Sequence, residues 1–336
     1  MTLLVRDEAD IVDAQLAFHL SIGVDFVVAT DHRSTDGTTE ILESYARRGR
    51  LRLIREDSEH VQQSAWVTRM ARLAAVEHGA DWVLNTDADE FWWPRGTSVH
   101  EVLAAVPEDY GVVRALIRSF LPRPDDGLAF DERMTARLAA AAPINDPATP
   151  YRPALHVAHR ADEQIVVGQG SHEVRGLRSG VMPGWFPFEV LHFPFRSPQQ
   201  CAAKHAKTLA AWRGNLRGDL ARARRYIEEG RPETFYREVV VDDDTLRQGL
   251  ADGSFVEDTR LRDALRALRN LPTAEGPELS LPRPSTEEDV GVAVDGSCVA
   301  EAELVRLRRR TDELAVRLTA LERRRRKPGL SAGLRP

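Results

Sequence analysis

Cysteine is nearly missing from this 336-residue chain: Cys201 and Cys298 are the two present, far apart in the sequence. They exclude a disulfide framework and a cysteine-built metal site, and they fit a reducing cytosol. Long hydrophobic runs are missing too. None approaches the roughly 20 apolar residues needed to cross a bilayer. The first residues run straight into Arg6, Asp7 and Glu8, without the apolar stretch of a secretory signal. The expected location is the cytoplasm, with any membrane contact peripheral and at the inner face. Positive charge is not in excess either. The net charge is −6, which gives no electrostatic reason to expect a nucleic-acid partner.

What is present is enough for a core: 42% of residues are hydrophobic and 29% charged. The N-terminal part alternates between two periodicities. Leu3 to Val5 is a short apolar run, and Ile11 or Val12, Leu16, His19 and Leu20 then share one helical face that Gly23 ends. Phe26 to Thr30 reads as a buried strand, Thr38 to Arg48 as a helix and Leu51 to Arg55 as a strand. Ser64 to His78 reads as a helix and Trp82 to Thr86 as a fourth strand. Strands alternating with helices of this length predict an α/β fold, Rossmann-like, with a mostly parallel central sheet and flanking helices. Ligands of such sheets sit beyond the carboxyl ends of the strands. The residues after strands one, two and four (Arg6 and Asp7, Asp31, Asp87 and Asp89) are therefore expected on one edge. Further strands are expected at 112–117, 165–167 and 190–193. Residues 120–150 read as loops with one short helix, and 198–230 as strongly helical.

The sharpest chemical signal is Asn85-Thr86-Asp87-Ala88-Asp89-Glu90-Phe91. Two carboxylates spaced i, i+2 at a strand end turn to one site when the chain leaves the sheet. Their oxygens suit a hard divalent ion, Mn²⁺ or Mg²⁺, that also takes phosphate oxygens. The plainer reading is an acidic turn or helix cap. The second signal is Asp31-His32-Arg33-Ser34-Thr35-Asp36-Gly37-Thr38. Asp36 or Ser34 suits a helix cap, while Asp31 at its strand end suits a nucleotide base or ribose. A nucleotidyltransferase would need a glycine-rich basic loop after strand one, where this chain has Arg6-Asp7-Glu8-Ala9-Asp10.

The ordered set Leu4-Val5-Arg6-Asp7-Glu8, Asp31-x-x-Ser34-Thr35-Asp36-Gly37-Thr38 and Asp87-Ala88-Asp89-Glu90-Phe91 resembles the family 2 type of glycosyltransferase. Within it, the bacterial branch whose first motif varies on L-V-R-N-E is the nearest in pattern; this chain departs from it with Asp7 in place of Asn. Phe130-Asp131-Glu132-Arg133, Gly170-Ser171-His172-Glu173 and Leu191-His192-Phe193-x-x-Arg196-Ser197 are also similar to that branch. The resemblance covers roughly residues 1 to 210. It implies a GT-A fold and a metal-dependent, inverting transfer of a sugar from a nucleotide-sugar donor to an acceptor hydroxyl. It implies donor contacts from Val5, Arg6, Asp7, Glu8, Asp31 and Asp87, and a metal held by Asp87, Asp89 and His192. Arg196 and Lys204 would neutralise the leaving phosphate. Glu173 is the candidate base, with Asp131 and Asp162 as alternatives. The acceptor, whether glycan, glycolipid or small molecule, is not specified. The competing non-enzyme reading is a carbohydrate- or partner-binding module that kept the fold and lost the chemistry.

The expected organisation is a GT-A domain over 1–235, a helical extension over 236–270, a linker over 271–297 rich in Pro, Gly, Ser and acid, and a terminal helix over 298–327. Leu304, Leu307, Thr311, Leu314, Leu318 and Leu321 step alternately by three and four, an a/d seam of about three heptads. It reads as a homodimeric coiled coil over 300–322 or as a solitary amphipathic helix. The basic run 323–327 reads as a solvated tail or as a weak contact with anionic membrane.

Overall fold

The computed structural model describes residues 1–139, 154–211, 218–271 and 278–325. The elements in chain order are β1 (Thr2–Val5), α1 (Val12–Ser21), β2 (Val27–Asp31), α2 (Thr38–Arg47), β3 (Leu51–Arg55), α3 (Gln63–His78), β4 (Trp82–Asp87), β5 (Glu90–Pro94), α4 (Val99–Ala104) and β6 (Tyr110–Ser119). Then come α5 (Phe130–Arg133), β7 (Ala136–Leu138), β8 (Leu155–Arg160), β9 (Val166–Val167), β10 (Val174–Arg175), β11 (Gly180–Val181) and β12 (Phe188–His192). The remainder is α6 (Pro198–Ala211), α7 (Gly218–Glu228), α8 (Thr234–Val239), α9 (Asp243–Asp252), β13 (Phe255–Glu257), α10 (Arg260–Arg269) and α11 (Thr286–Arg325). The expected α/β fold with a central sheet, flanking helices and C-terminal helices is what forms.

The central sheet runs β3-β2-β1-β4-β8-β6-β12-β5, with β11 also on β6. Its first four strands are parallel, because each returns through a helix. Side chains alternate between the faces. Leu3, Val5, Val27 and Ala29 join the core under α1, whereas Leu4 and Val28 meet Val67, Met70, Ala71 and Ala74 of α3. Both faces are covered, so these strands read as continuous apolar runs.

The other half is mixed. β8 is antiparallel to β4 and β6, and β12 is parallel to β6 but antiparallel to β5. β5 thus lies at the far end of the strand order from β4, although only Ala88 and Asp89 separate the two. Four strand spacings in a flat sheet span about 19 Å, and three residue steps reach at most about 11 Å. The sheet must therefore curl until β5 comes back beside β4. Phe91, Trp92, Val113, Ala115, Phe188 and Val190 fill the curl and are buried. The sequence reading missed β5 and β8. The run from Glu90 to Pro94 is buried throughout and has no alternation to betray a strand.

The expected linker over 271–297 needs correction in its described part. Leu279 N–H donates to the Ser21 carbonyl at 2.7 Å, Leu281 N–H donates to the Thr97 carbonyl at 3.1 Å, and Leu281 is buried. From Thr286 the chain is helical. A capping box starts that helix: Glu288 N–H donates to Ser285 Oγ at 3.2 Å, and Ser285 N–H donates to Glu288 Oε2 at 2.6 Å. The first half of α11 docks on the body through Val292 and Val299, which pack with Leu116, Leu155 and Phe186. Gly296 is required there, since a Cβ would come 2.6 Å from the Phe186 ring. Arg95 pairs with Asp289 at 2.8 Å and Arg118 with Asp295 at 2.6 Å. The expected extension over 236–270 is also tied in: β13 pairs with β7, and Leu261, Ala264 and Leu265 of α10 enter the main core. Of the expected loops, 140–150 lie outside the described residues, as do 326–327 of the basic run. No helix among the described residues is long and apolar enough to cross a membrane.

Candidate functional site

Strand register builds the rim. β1 lies between β2 and β4, with Val5 opposite Asp31 and Leu4 opposite Asp87. Three parallel strands thus release Arg6 to Glu8, Asp31 and Asp87 at one edge, as the sequence predicts. The loops after β1 and β2 are sewn together there. Asp7 N–H donates to Ser34 Oγ (2.9 Å), and Thr35 N–H donates back to Asp7 Oδ1 (2.7 Å). Glu8 N–H donates to Thr38 Oγ1 (2.9 Å), and Ala9 N–H to Asp36 Oδ2 (3.0 Å). Asp7 holds a left-handed backbone (φ 52°), which a short polar side chain tolerates better than a branched one. Asp31 is buried. Its carboxylate accepts from Ser34 N–H at 3.2 Å and Thr39 Oγ1 at 2.5 Å, so it orders its own loop. Val5 is a core residue whose carbonyl accepts from His32 N–H at 2.9 Å.

The Asp87–Glu90 turn sits where β4 leaves for β5. Glu90 is buried and holds the turn from inside. Its Oε2 accepts Asp87 N–H at 3.0 Å, and its Oε1 lies 2.9 Å from His156 Nε2. β5 then pairs with β12, which sets Glu90 opposite His192, and Phe193 N–H donates to the Asp89 carbonyl at 2.9 Å. His192 Nε2 comes to 3.6 Å from Asp89 Oδ2. Two expected metal ligands, Asp89 and His192, far apart in sequence, are thus brought together by one strand pair. Asp87 is half-buried, and its carboxylate has no hydrogen bond or ion pair among the described residues.

Charge is unevenly balanced across these acids. Burial, reinforced by Glu90 and Asp89, pushes the Asp87 carboxyl up to about 8. Burial acts on Asp89 in the same sense, but Lys204, His192 and Arg196 outweigh it and hold that carboxyl well below the usual range. Burial of Glu90 is outweighed by His156, which holds the carboxyl down to about 2. His156 is raised in turn, because Glu90 overcomes the burial of its ring.

The cations come from the segment after β12. Lys204 on α6 pairs with Asp89, and Lys207, one turn on, pairs with Asp7 at 2.6 Å. Arg196 departs from its expected role of meeting phosphate. Its guanidinium is 1% exposed and grips Asp10 through two bonds, at 2.7 and 2.8 Å. It also bonds Glu8 and donates to the Phe193 carbonyl at 3.1 Å. With its donors committed, Arg196 fastens the acidic loop after β1 to β12, while Lys204 and Lys207 of α6 face the rim, as does Arg6, whose Nε lies 4.0 Å from Asp7 Oδ2. Burial raises the Glu8 carboxyl, against the pull of Arg196.

The base candidates separate by position. His172 Nδ1 lies 2.8 Å from the Leu155 carbonyl, and its ring centroid lies 5.2 Å from that of His156. The Gly170–Glu173 loop therefore lies at the rim; Glu173 is exposed there and pairs with Arg175 at 2.7 Å. Asp131 is buried and pairs with Arg269 of α10 at 2.6 Å. Asp162 follows Arg160, which lies opposite Trp82 at the start of β4, so it stands at the opposite edge. Sequence reasoning missed His156, Asp10 and Lys207. Lys207 had a signal: it lies three residues after Lys204 on a predicted helix, so the two share a face.

Comparison with known proteins adds one finding to this geometry. Residues 4–116, which run from β1 into β6, match the sequence model of glycosyltransferase family 92. That match supports a glycosyltransferase. It names family 92, so the likeness to family 2 rests on the motifs alone. No curated protein matches the chain. Among solved structures, residues 1–349 of Staphylococcus aureus TarS in complex with UDP align at 13% identity and a TM-score of 0.32, covering 67% of this chain and 71% of that one. The same TarS segment with UDP-GlcNAc aligns at 12% identity and a TM-score of 0.34, covering 67% and 72%. A mycobacterial protein aligns at 20% identity and a TM-score of 0.25, covering 48% and 52%.

Proposed function

We propose that this chain transfers a sugar from a nucleotide-sugar donor to an acceptor hydroxyl, with inversion, at the rim formed by Asp7, Asp31, Asp87, Asp89 and His192. The observation that carries the reading is the register of β1 with β2 and β4, which gathers the three acidic segments at one edge opposite Lys204 and Lys207. The family 92 match over the same residues supports it.

The donor set fits a divalent ion. Asp87 and Asp89 offer oxygens and His192 a nitrogen, and the Asp87 carboxylate is unengaged among the described residues. Among the described residues no three His, Cys, Asp or Glu side chains come together closely enough to hold a metal ion by themselves, so substrate oxygens would have to complete the site. A hard ion of this kind takes one or two carboxylates and completes its shell with substrate phosphates. When bound, Mn²⁺ or Mg²⁺ would neutralise charge developing on the leaving diphosphate. The chain's own cations share that work, since Lys204 and Lys207 face the same space. Asp7, Glu8 and Asp31 shape the pocket for base and ribose, chiefly through the loops they order. The bond from the sugar C1 to the diphosphate oxygen breaks, and its electron pair leaves with the nucleoside diphosphate. The acceptor oxygen bonds C1 from the opposite face, and its proton passes to a carboxylate, for which Glu173 is our candidate.

The pairing of Lys204 with Asp89 favours a second reading, in which Lys204 and Lys207 neutralise the diphosphate without a divalent ion. A thermal-shift panel of UDP, GDP, dTDP and CDP, each with and without Mn²⁺, separates the readings. A nucleotide at 100 times its Kd stabilises the folded form by about 2.7 kcal/mol. A shift that needs Mn²⁺ supports the first reading, and a shift indifferent to chelator supports the second. If no nucleotide shifts the melting temperature in either condition, the donor site is misassigned. Asp89→Asn should abolish transfer while leaving the chain folded.

A further inference from the structure

The second half of α11 leaves the body. From Leu304 to Leu318 every residue whose side chain is described is exposed. Leu304, Leu307, Leu314 and Leu318 stand 47%, 55%, 56% and 59% exposed. A helix draws most of its stability from packing one face, yet no leucine of this stretch, about 22 Å long at 1.5 Å per residue, is buried by the described residues of its own chain. Its outward side carries Arg309 and Glu313, paired at i, i+4, with Val305 and Val316 exposed singly beside them. The leucine side is a narrow seam of two positions per heptad, flanked by charge. A membrane-lying helix needs a broader apolar face.

We propose that residues 301–322 form a parallel, in-register, two-stranded coiled coil with a second copy of this chain. The heptad places Leu304, Thr311 and Leu318 at position a, and Leu307, Leu314 and Leu321 at position d. Glu303, Arg310 and Arg317 then fall at g, and Arg308, Ala315 and Glu322 at e. In a parallel pair each g residue meets the e residue of the next heptad on the other helix. Those pairs are Glu303 with Arg308, Arg310 with Ala315 and Arg317 with Glu322: two attractive and none repulsive. An antiparallel pair on the same seam sets Arg310 against Arg317 and Glu301 against Glu322, both repulsive, with Glu303 against Arg324 the one attractive pair. Thr311, the polar member, is provided for within its own helix. Its Oγ1 donates to the Leu307 carbonyl at 2.9 Å, so a closed seam buries no unsatisfied hydroxyl. A single polar residue at a also disfavours slipped registers. Both bodies then stand at the same end of the coil.

Sedimentation equilibrium of the full-length chain tests the association, and an introduced cysteine tests the orientation. The expected mass is twice the 37.6 kDa of one chain. Leu307→Glu with Leu314→Glu should yield a monomer whose body melts at the unchanged temperature. Leu304→Cys in a Cys298→Ser background should oxidise to a disulfide-linked dimer, because parallel helices place the two copies of that position in one layer. Antiparallel helices would hold them about 25 Å apart. A monomeric wild-type chain, a dimer that survives the double glutamate change, or failure of the introduced cysteines to join would each overturn the proposal. None of these outcomes bears on sugar transfer, so the two proposals stand or fall separately.

Discussion

His19 gives a quantitative test of how the site's scaffold is held. It is fully buried in α1, with Nδ1 2.8 Å from the Gln15 carbonyl and Nε2 2.9 Å from Trp92 N–H. Trp92 belongs to β5, the strand that follows the Asp87–Glu90 turn. The ring must donate from Nδ1 and accept at Nε2, so it is held as the neutral imidazole. Burial lowers it from its ordinary value to about 4. The native state therefore binds fewer protons than the unfolded chain, and the neutral ring's contribution is intact above pH 6.5 and is lost as pH falls toward 4. For one such group the loss between pH 7 and pH 5 is about 2 kcal/mol, a sizeable part of a typical domain stability of about 5–15 kcal/mol. His19→Gln keeps a donor and an acceptor in the same place without a titrating group. Urea unfolding at both pH values should show the wild type losing about 2 kcal/mol more than the variant on acidification. Other titrating groups, Asp87 and His159 among them, are common to both proteins and cancel in the comparison. Equal losses in the two proteins would refute the assignment of a neutral, accepting His19.

Glu90→Gln should keep an acceptor for Asp87 N–H but break the ion pair with His156, lowering Mn²⁺ affinity or kcat by about 10–100-fold; metal titration followed by steady-state kinetics checks this. Replacing Lys204 and Lys207 by Ala should weaken nucleoside diphosphate binding more than nucleoside binding, which calorimetry with each ligand would resolve. Glu189 is buried among Arg95, Arg118 and Arg260, at 3.1, 2.8 and 2.7 Å. Glu189→Gln should therefore cost about 3–5 kcal/mol in denaturant unfolding, since it removes the buried carboxylate charge that three guanidinium groups share.

The parallel half of the fold was legible because local signals agreed with one another. Apolar runs, helical spacing and loop chemistry place β1 to β4 and α1 to α3 within a residue or two. The rim followed from that alternation alone. The curl was not legible. It depends on β5 finding β12, and nothing local in Glu90–Pro94 or Phe188–His192 names the other as its partner. For the same reason the resemblance could not reveal what Arg196 meets in this fold. Arg196 suits a phosphate by type, but the fold spends it on Glu8 and Asp10, nearly the whole domain away in sequence. His156 lies in a strand with no motif around it, and its role follows from meeting Glu90. The start of α11 hid in a proline- and acid-rich stretch whose Ser285-to-Glu288 capping spacing was the available clue.

Closure of the curl has a kinetic consequence. The acidic turn takes its shape when β12 captures β5, a contact between residues about a hundred positions apart. Pairings of that separation form slowly, after loop-closure entropy has been overcome. An intermediate that has assembled only β1 to β4 would carry all three acidic segments and still lack His192 opposite Asp89. During refolding, recovery of the proposed metal-dependent turnover should therefore lag behind recovery of helical signal and coincide with protection of the β5 amides from hydrogen exchange.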